Sequence, residues 1–98
     1  MKDNPLVLII GTGSIGERHL RCLQKTGRCR LSFCEPLEER RRDVAERYGI
    51  EEALSFSSLE DALASEEEIT AAVVAVPAPF HIPMGMQLAE RAIHILME

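Results

Sequence analysis

Short apolar runs alternate with longer segments of mixed character along this chain, and the alternation sets out a series of strands and helices. Leu6 to Ile10 is apolar throughout, the pattern of a strand buried on both faces of a parallel sheet. From Ser14 to Gln24 the apolar positions switch to helical spacing. Ile15, His19 and Leu23 define an inward face, and Arg18, Arg21 and Lys25 lie opposite. Thr26-Gly27 ends that helix, and Cys29 to Cys34 reads as a second strand stopping at Glu35-Pro36. A second helix is expected from Leu37 to Tyr48, with Leu37, Val44, Ala45 and Tyr48 on one face. Gly49 followed by Ile50 has the residue order of a left-handed cap with an apolar clasp.

Ala53 to Phe56 is a short third strand, and Ser57 with Glu60 has the spacing of a capping box that opens a short helix on Leu59, Ala62 and Leu63. Glu66, Glu67 and Glu68 follow as a solvated loop, since like charges at a helix C-terminus oppose its dipole. Ile69 to Val76 repeats the signature of the first strand and is cut off by Pro77. The next helix starts near His81, tolerates Pro83 in its first turn and runs to about Arg91, with Ile82, Met86 and Ala89 inward. Ile93 to Met97 is a fifth strand. Such alternation predicts an α/β fold, a doubly wound parallel Rossmann sheet of strand order 3-2-1-4-5. Its ligand crevice would lie outside the carboxyl ends of strands one and four.

Three glycines, Gly11, Gly13 and Gly16, sit between the first strand and the first helix in the spacing G-x-G-x-x-G. In that setting Gly11 makes the tight turn, Gly13 keeps side-chain atoms away from a pyrophosphate, and Gly16 lets helix and strand approach. The free N–H groups of the first helical turn and the helix dipole both favour the phosphates. Glu35 stands nineteen residues beyond Gly16, where a carboxylate can accept from the adenosine ribose and repel a 2′-phosphate. This favours NAD. Arg40, Arg41 and Arg42 pull the other way, since a guanidinium there could stack on adenine or hold that phosphate. His81 falls beside the crevice, as a contact to cofactor or substrate or as a helix-capping residue. His19 is expected to be a buried histidine of the first helix and His94 a structural one.

Ninety-eight residues make one domain with room for an ordinary core. The net charge of −5 argues against non-specific nucleic-acid binding. Charge is uneven, with ten basic residues against seven acidic up to Ile50 and one against nine after it. The proposed phosphate site thus lies in the basic half. No apolar stretch is long enough to span a membrane and the N-terminus lacks a signal core, so a cytoplasmic protein is expected. Cys22, Cys29 and Cys34 show no metal or redox spacing and are expected to be reduced, mostly buried thiols, with no metal site.

GTGSIGERH at 11–19, Glu35-Pro36 with Arg40, AVVAVPAPFH at 72–81 and LAERAIHILME at 88–98 together resemble the N-terminal domain of the Gfo/Idh/MocA oxidoreductases. The resemblance covers essentially the whole chain. It implies a Rossmann domain carrying NAD or NADP and hydride transfer to or from sugars, inositols or related polyols. The cofactor contacts it implies are Gly11, Thr12, Gly13, Ser14, Ile15, Gly16, Glu35, Arg40, Val76, Pro77, His81 and Glu98. Several positions depart from the family pattern. The family more often has Asp at the place of Glu35. Val76 and Ala78 stand where it commonly has Thr and Asn. Ala92 replaces a glycine usual after the last helix, a left-handed position, and of the motif Glu-Lys-Pro only Glu98 is present. The expectation is a cofactor-binding half that lacks the substrate domain and catalytic lysine, binds dinucleotide without turnover, and self-associates through its last strand. The alternative is a non-catalytic dinucleotide-binding module that senses redox state or serves as a subunit.

Overall fold

The computed structural model describes residues 4–98. Five strands, β1 (Leu6–Ile10), β2 (Arg30–Cys34), β3 (Ser55–Phe56), β4 (Ile69–Val74) and β5 (His94–Met97), form one sheet. All neighbouring strands are parallel and the order is β3-β2-β1-β4-β5, as the alternation predicts. The helices are α1 (Ser14–Thr26), α2 (Glu38–Tyr48), α3 (Leu59–Ala64) and α4 (His81–Glu90), with single 3-10 turns at Glu52–Leu54 and Ala78–Phe80.

Alternate residues of the central strand feed two cores. Ile9 joins Leu20 of α1, Val44 of α2, Leu31, Phe33 and Val73 on one face of the sheet. Leu8 and Ile10 join Leu59 and Ala62 of α3, Leu88 of α4, Phe56 and Val74 on the other. A strand clothed on both faces has no polar positions to give away, which is why β1 reads as a solid apolar run. The helix stops fall as expected. Gly27 and Gly49 take φ of 66° and 65°, and the Ile50 amide donates to the Ala45 carbonyl at 2.9 Å, closing the clasp over the end of α2.

Several expectations are corrected. Ile82, Met86 and Ala89 face outward, Ile82 and Met86 being 71% and 61% exposed, while Leu88 and Met84 carry the inward contacts of α4. This helix is apolar on both sides, so its spacing alone points to either face. Ile15 is exposed because it sits in the first turn of α1, beyond the end of the sheet, and Leu37 is exposed as the N-cap of α2. The short helix is capped by Ser58, whose Oγ accepts from the Asp61 amide at 3.1 Å, rather than by Ser57 with Glu60. Ser57 instead donates its hydroxyl to the Asp61 carboxylate at 2.5 Å. Strand β4 ends at Val74, two residues early, and of the cysteines only Cys34 is buried, Cys22 being exposed.

Candidate functional site

The turn from β1 into α1 is held by its glycines in three different ways. Gly11 takes φ of 91°, and a Cβ there would lie 2.6 Å from the Ala75 carbonyl oxygen and 2.9 Å from Val76 Cγ1. Its amide donates to the Cys34 carbonyl at 3.0 Å, tying the turn to the end of β2. Gly16 is buried in the first turn of α1, where a Cβ would run into the Gly11 carbonyl. Gly13, the N-cap, is different: it is extended, exposed and has no protein atom within 4 Å of where a Cβ would stand. No side chain caps α1, so the amides of its first turn point into that open space without a partner from a capping residue. The turn thus leaves open space at the positive end of a helix, an arrangement suited to an anionic group.

Beside the turn lies a cleft of about 250 Å³ lined by Gly13, Ser14, Ile15, Ala75, Val76, Pro77 and Glu98. It occupies the topological switch point between β1 and β4. Glu98 is placed there by its amide, which donates to the Val74 carbonyl at 2.9 Å, and its carboxylate meets His19 Nε2 of α1 at 3.0 Å. His19 is thus half-buried and in contact with Glu98, not sealed in the core. His81 Nε2 lies 2.8 Å from the Val76 carbonyl. A carbonyl can only accept, so that nitrogen carries the proton and the ring closes the β4–α4 turn, with no side-chain bond capping the helix. His94 is exposed in β5.

On the other side of the turn the surroundings are more polar. Glu35 is buried, 6% exposed, and its Oε1 accepts from the Thr12 hydroxyl at 2.6 Å and the Thr12 amide at 3.3 Å. Its Oε2 accepts from the Leu37 amide at 3.1 Å. Arg40, exposed on the first turn of α2, donates to the Thr12 carbonyl at 2.7 Å. Arg41 turns back onto the Glu35 carbonyl at 2.7 Å, and Arg42 pairs with Glu38 at 2.6 Å on the outer face. Only Arg40 of the three reaches the glycine turn. Cys34, next to Glu35, is no nucleophile. Burial first, and then the nearby Glu60 and Asp61, push its thiol up to about 12, and it donates to the Ser58 carbonyl.

The structure brings the predicted residues to one end of the sheet in two groups. Ser14, Ile15, Val76, Pro77 and Glu98 line the cleft with Gly13, and Thr12, Glu35 and Arg40 form a linked set beside it. Sequence reading missed Ala75, whose carbonyl sets the closeness of the Gly11 turn, and the Leu37 amide on Glu35. Ala75 had a signal of its own, a small residue where an apolar run gives way to Pro77; the Leu37 amide had none.

A family model for the Gfo/Idh/MocA oxidoreductase family, NAD-binding Rossmann fold, matches residues 6–98. The chain belongs to that family and is an NAD-binding Rossmann domain. No curated protein matches the sequence. Among solved structures it is similar to the WlbA dehydrogenase of Bordetella pertussis in complex with NADH and UDP-GlcNAcA. The two share 25% identity over 96% of this chain and 29% of the other, with a TM-score of 0.81. It is also similar in fold to myo-inositol 2-dehydrogenase from Lactobacillus plantarum, at 24% identity and TM-score 0.85 over 97% of this chain and 28% of that one. Apo scyllo-inositol dehydrogenase from Lactobacillus casei gives TM-score 0.85 at 17% identity, over 99% and 28%. The chain therefore spans a little under a third of each of these proteins.

Proposed function

We propose that this chain is the cofactor-holding domain of an oxidoreductase that moves hydride between a nicotinamide dinucleotide and a sugar, inositol or related polyol. The observation that carries the reading is the unfilled space at Gly13, over uncapped amides at the start of α1 and beside the cleft that ends at Glu98. The pyrophosphate rests on Gly11 to Gly16, the adenosine ribose faces Glu35, and the nicotinamide end runs toward Val76, Pro77, His81 and Glu98. NAD is preferred, because Glu35 repels a 2′-phosphate, while Arg40 leaves NADP a possible second cofactor. The NADH held by the Bordetella WlbA dehydrogenase and the inositol dehydrogenases among the similar folds support this reading.

Hydride transfer from a secondary alcohol requires a base at the hydroxyl and a substrate held against the ring. We read residues 1–98 as the dinucleotide-binding domain alone, which binds cofactor without turnover; the base and the substrate walls belong to a second domain. Ile95, Leu96 and Met97 of the end strand β5 are 39%, 49% and 40% exposed, and such an apolar edge favours self-association, which sedimentation at rising concentration would reveal. A cytoplasmic setting suits the three free thiols.

Gly13→Val tests the cofactor site. Its φ of −67° suits valine and its Cβ meets no protein atom, so stability should stay within about 0.5 kcal/mol of wild type. NAD affinity by fluorescence titration should fall at least about tenfold, equivalent to about 1.4 kcal/mol. Equal affinity before and after the change would move the pyrophosphate elsewhere.

A further inference from the structure

Resting on the NAD reading above, we infer that Thr12 is a positioning residue. Through its hydroxyl it fixes the Glu35 carboxylate so that a single oxygen, Oε2, is left to receive the ribose. Thr12 is wholly buried although it lies in the glycine turn itself, and all its polar atoms are engaged. The hydroxyl and amide both donate to Glu35 Oε1, at 2.6 and 3.3 Å, and the carbonyl accepts from Arg40 at 2.7 Å.

A carboxylate oxygen has two lone pairs. On Oε1 both are taken by Thr12; on Oε2 one is taken by the Leu37 amide at 3.1 Å. One acceptor position remains. Glu35 therefore receives one ribose hydroxyl, not two, and cannot swing to offer more without breaking the short bond to Thr12. Arg40 is tied to the same residue by a different atom. Its guanidinium donates to the Thr12 carbonyl and makes no ion pair with a carboxylate among the described residues, so it keeps donors free on the side of the turn. The group that rejects a 2′-phosphate and the group that could accept one are thus both anchored on Thr12. Only the carboxylate depends on its hydroxyl.

That division makes the hydroxyl separately testable. Thr12→Val keeps the shape, the carbonyl and the amide and removes the hydroxyl, the shorter of the two bonds to Oε1, so Glu35 is held less firmly. NAD affinity, read by titration on the 98-residue protein, should fall about fivefold to tenfold, the net scale of one hydrogen bond. NADP affinity, carried by Arg40, should change less than twofold. Thr12→Ser, which keeps the hydroxyl, should bind NAD as wild type does. In a Glu35→Ser background Thr12→Val should cost less than twofold further, because its effect runs through the carboxylate.

A thermal transition checks that each variant is folded. Thr12→Ala takes the place of Thr12→Val if the latter shows no cooperative transition. Unchanged NAD affinity in Thr12→Val, an equal loss for NAD and NADP, or an undiminished loss in the Glu35→Ser background would each overturn the inference while leaving the cofactor reading intact. A wild-type chain that binds neither dinucleotide would overturn both.

Discussion

The two sides of the sheet are finished differently. On the side of β2 and β3, α1 is laced to α2, and β2 to β1, by side-chain polar contacts. Tyr48 donates its hydroxyl to Glu17 at 2.7 Å and Arg47 pairs with the same carboxylate. Gln24 donates to the Tyr48 carbonyl at 2.7 Å, and Ser32 to the Val7 carbonyl at 3.3 Å. Glu35, Thr12 and Arg40 continue that lacing into the glycine turn. On the side of β5 the surface is apolar instead, with Phe80, Ile82, Met86, Ile95, Leu96 and Met97 all exposed. Exposed single apolar residues need no explanation, but a helix face and a neighbouring strand that are exposed together have the character of an interface. One side of the domain is therefore tied together by polar links, while the other exposes apolar side chains.

The largest effect expected on that contrast comes from Gly16, where the laced side meets the sheet. In an ordinary helix interior, alanine in place of glycine gains about 1 kcal/mol. Here the added methyl would strike the Gly11 carbonyl and come within 3.5 Å of Ala75 Cβ, both fixed by the sheet. Gly16→Ala should lower unfolding free energy by about 3 kcal/mol, a large share of the roughly 5–15 kcal/mol typical of a domain, as read from the urea midpoint. A variant as stable as wild type would show that helix and turn can move apart. Set beside Gly13→Val, it separates a glycine needed by the fold from one needed by a ligand.

Much of this was legible in the sequence because the relevant signals are local. Glycine spacing, the apolar runs of β1 and β4, and the left-handed stops at Gly27 and Gly49 each act within a few residues. The face of α4 was not legible, since Ile82, Met84, Met86 and Leu88 place apolar groups on both sides and burial of one set is decided by which side meets the sheet. The cap of α3 was missed by one residue because Ser57 and Ser58 are adjacent and both have an acid three positions on. For Glu35 the sequence indicated the position and the charge. That two of its lone pairs are spent on Thr12 is a contact across 23 residues, which no spacing rule reports.

On the apolar side, Ala92 offers a moderate effect of the opposite sign. It adopts φ of 57° after α4, a conformation alanine enters at a cost of roughly 1 kcal/mol because its Cβ crowds the following carbonyl. Its amide donates to the Ala89 carbonyl at 3.0 Å, so the turn is needed to bring the chain into β5. Ala92→Gly should stabilise by about 1 kcal/mol and raise the melting temperature by roughly 4–8 °C in scanning calorimetry. NAD affinity should not change. A melting temperature at or below that of wild type would mean that glycine's extra freedom in the unfolded chain outweighs the relieved strain.

The smallest effect sharpens the comparison from the laced side, because it removes one polar link without touching the site. Glu17 has its carboxyl held below its ordinary value of 4.5, first by the Tyr48 hydroxyl and then by Arg47. A carboxylate whose pKa is depressed by folding adds stability above its unfolded value, and that stability is lost as the pH falls through the folded one. Tyr48→Phe keeps the ring in the core beneath α1 and removes the hydroxyl, leaving Arg47 in place. At pH 7 the loss should be about 0.5–1 kcal/mol, the net worth of one hydrogen bond. As the pH falls through the lowered folded value the loss should shrink, because protonated Glu17 no longer accepts as an anion in either protein, and the difference between the wild-type and variant denaturant midpoints should narrow in acid. A gap between wild type and variant that stays as large through the whole acid range as at pH 7 would assign the contribution of Tyr48 to packing alone.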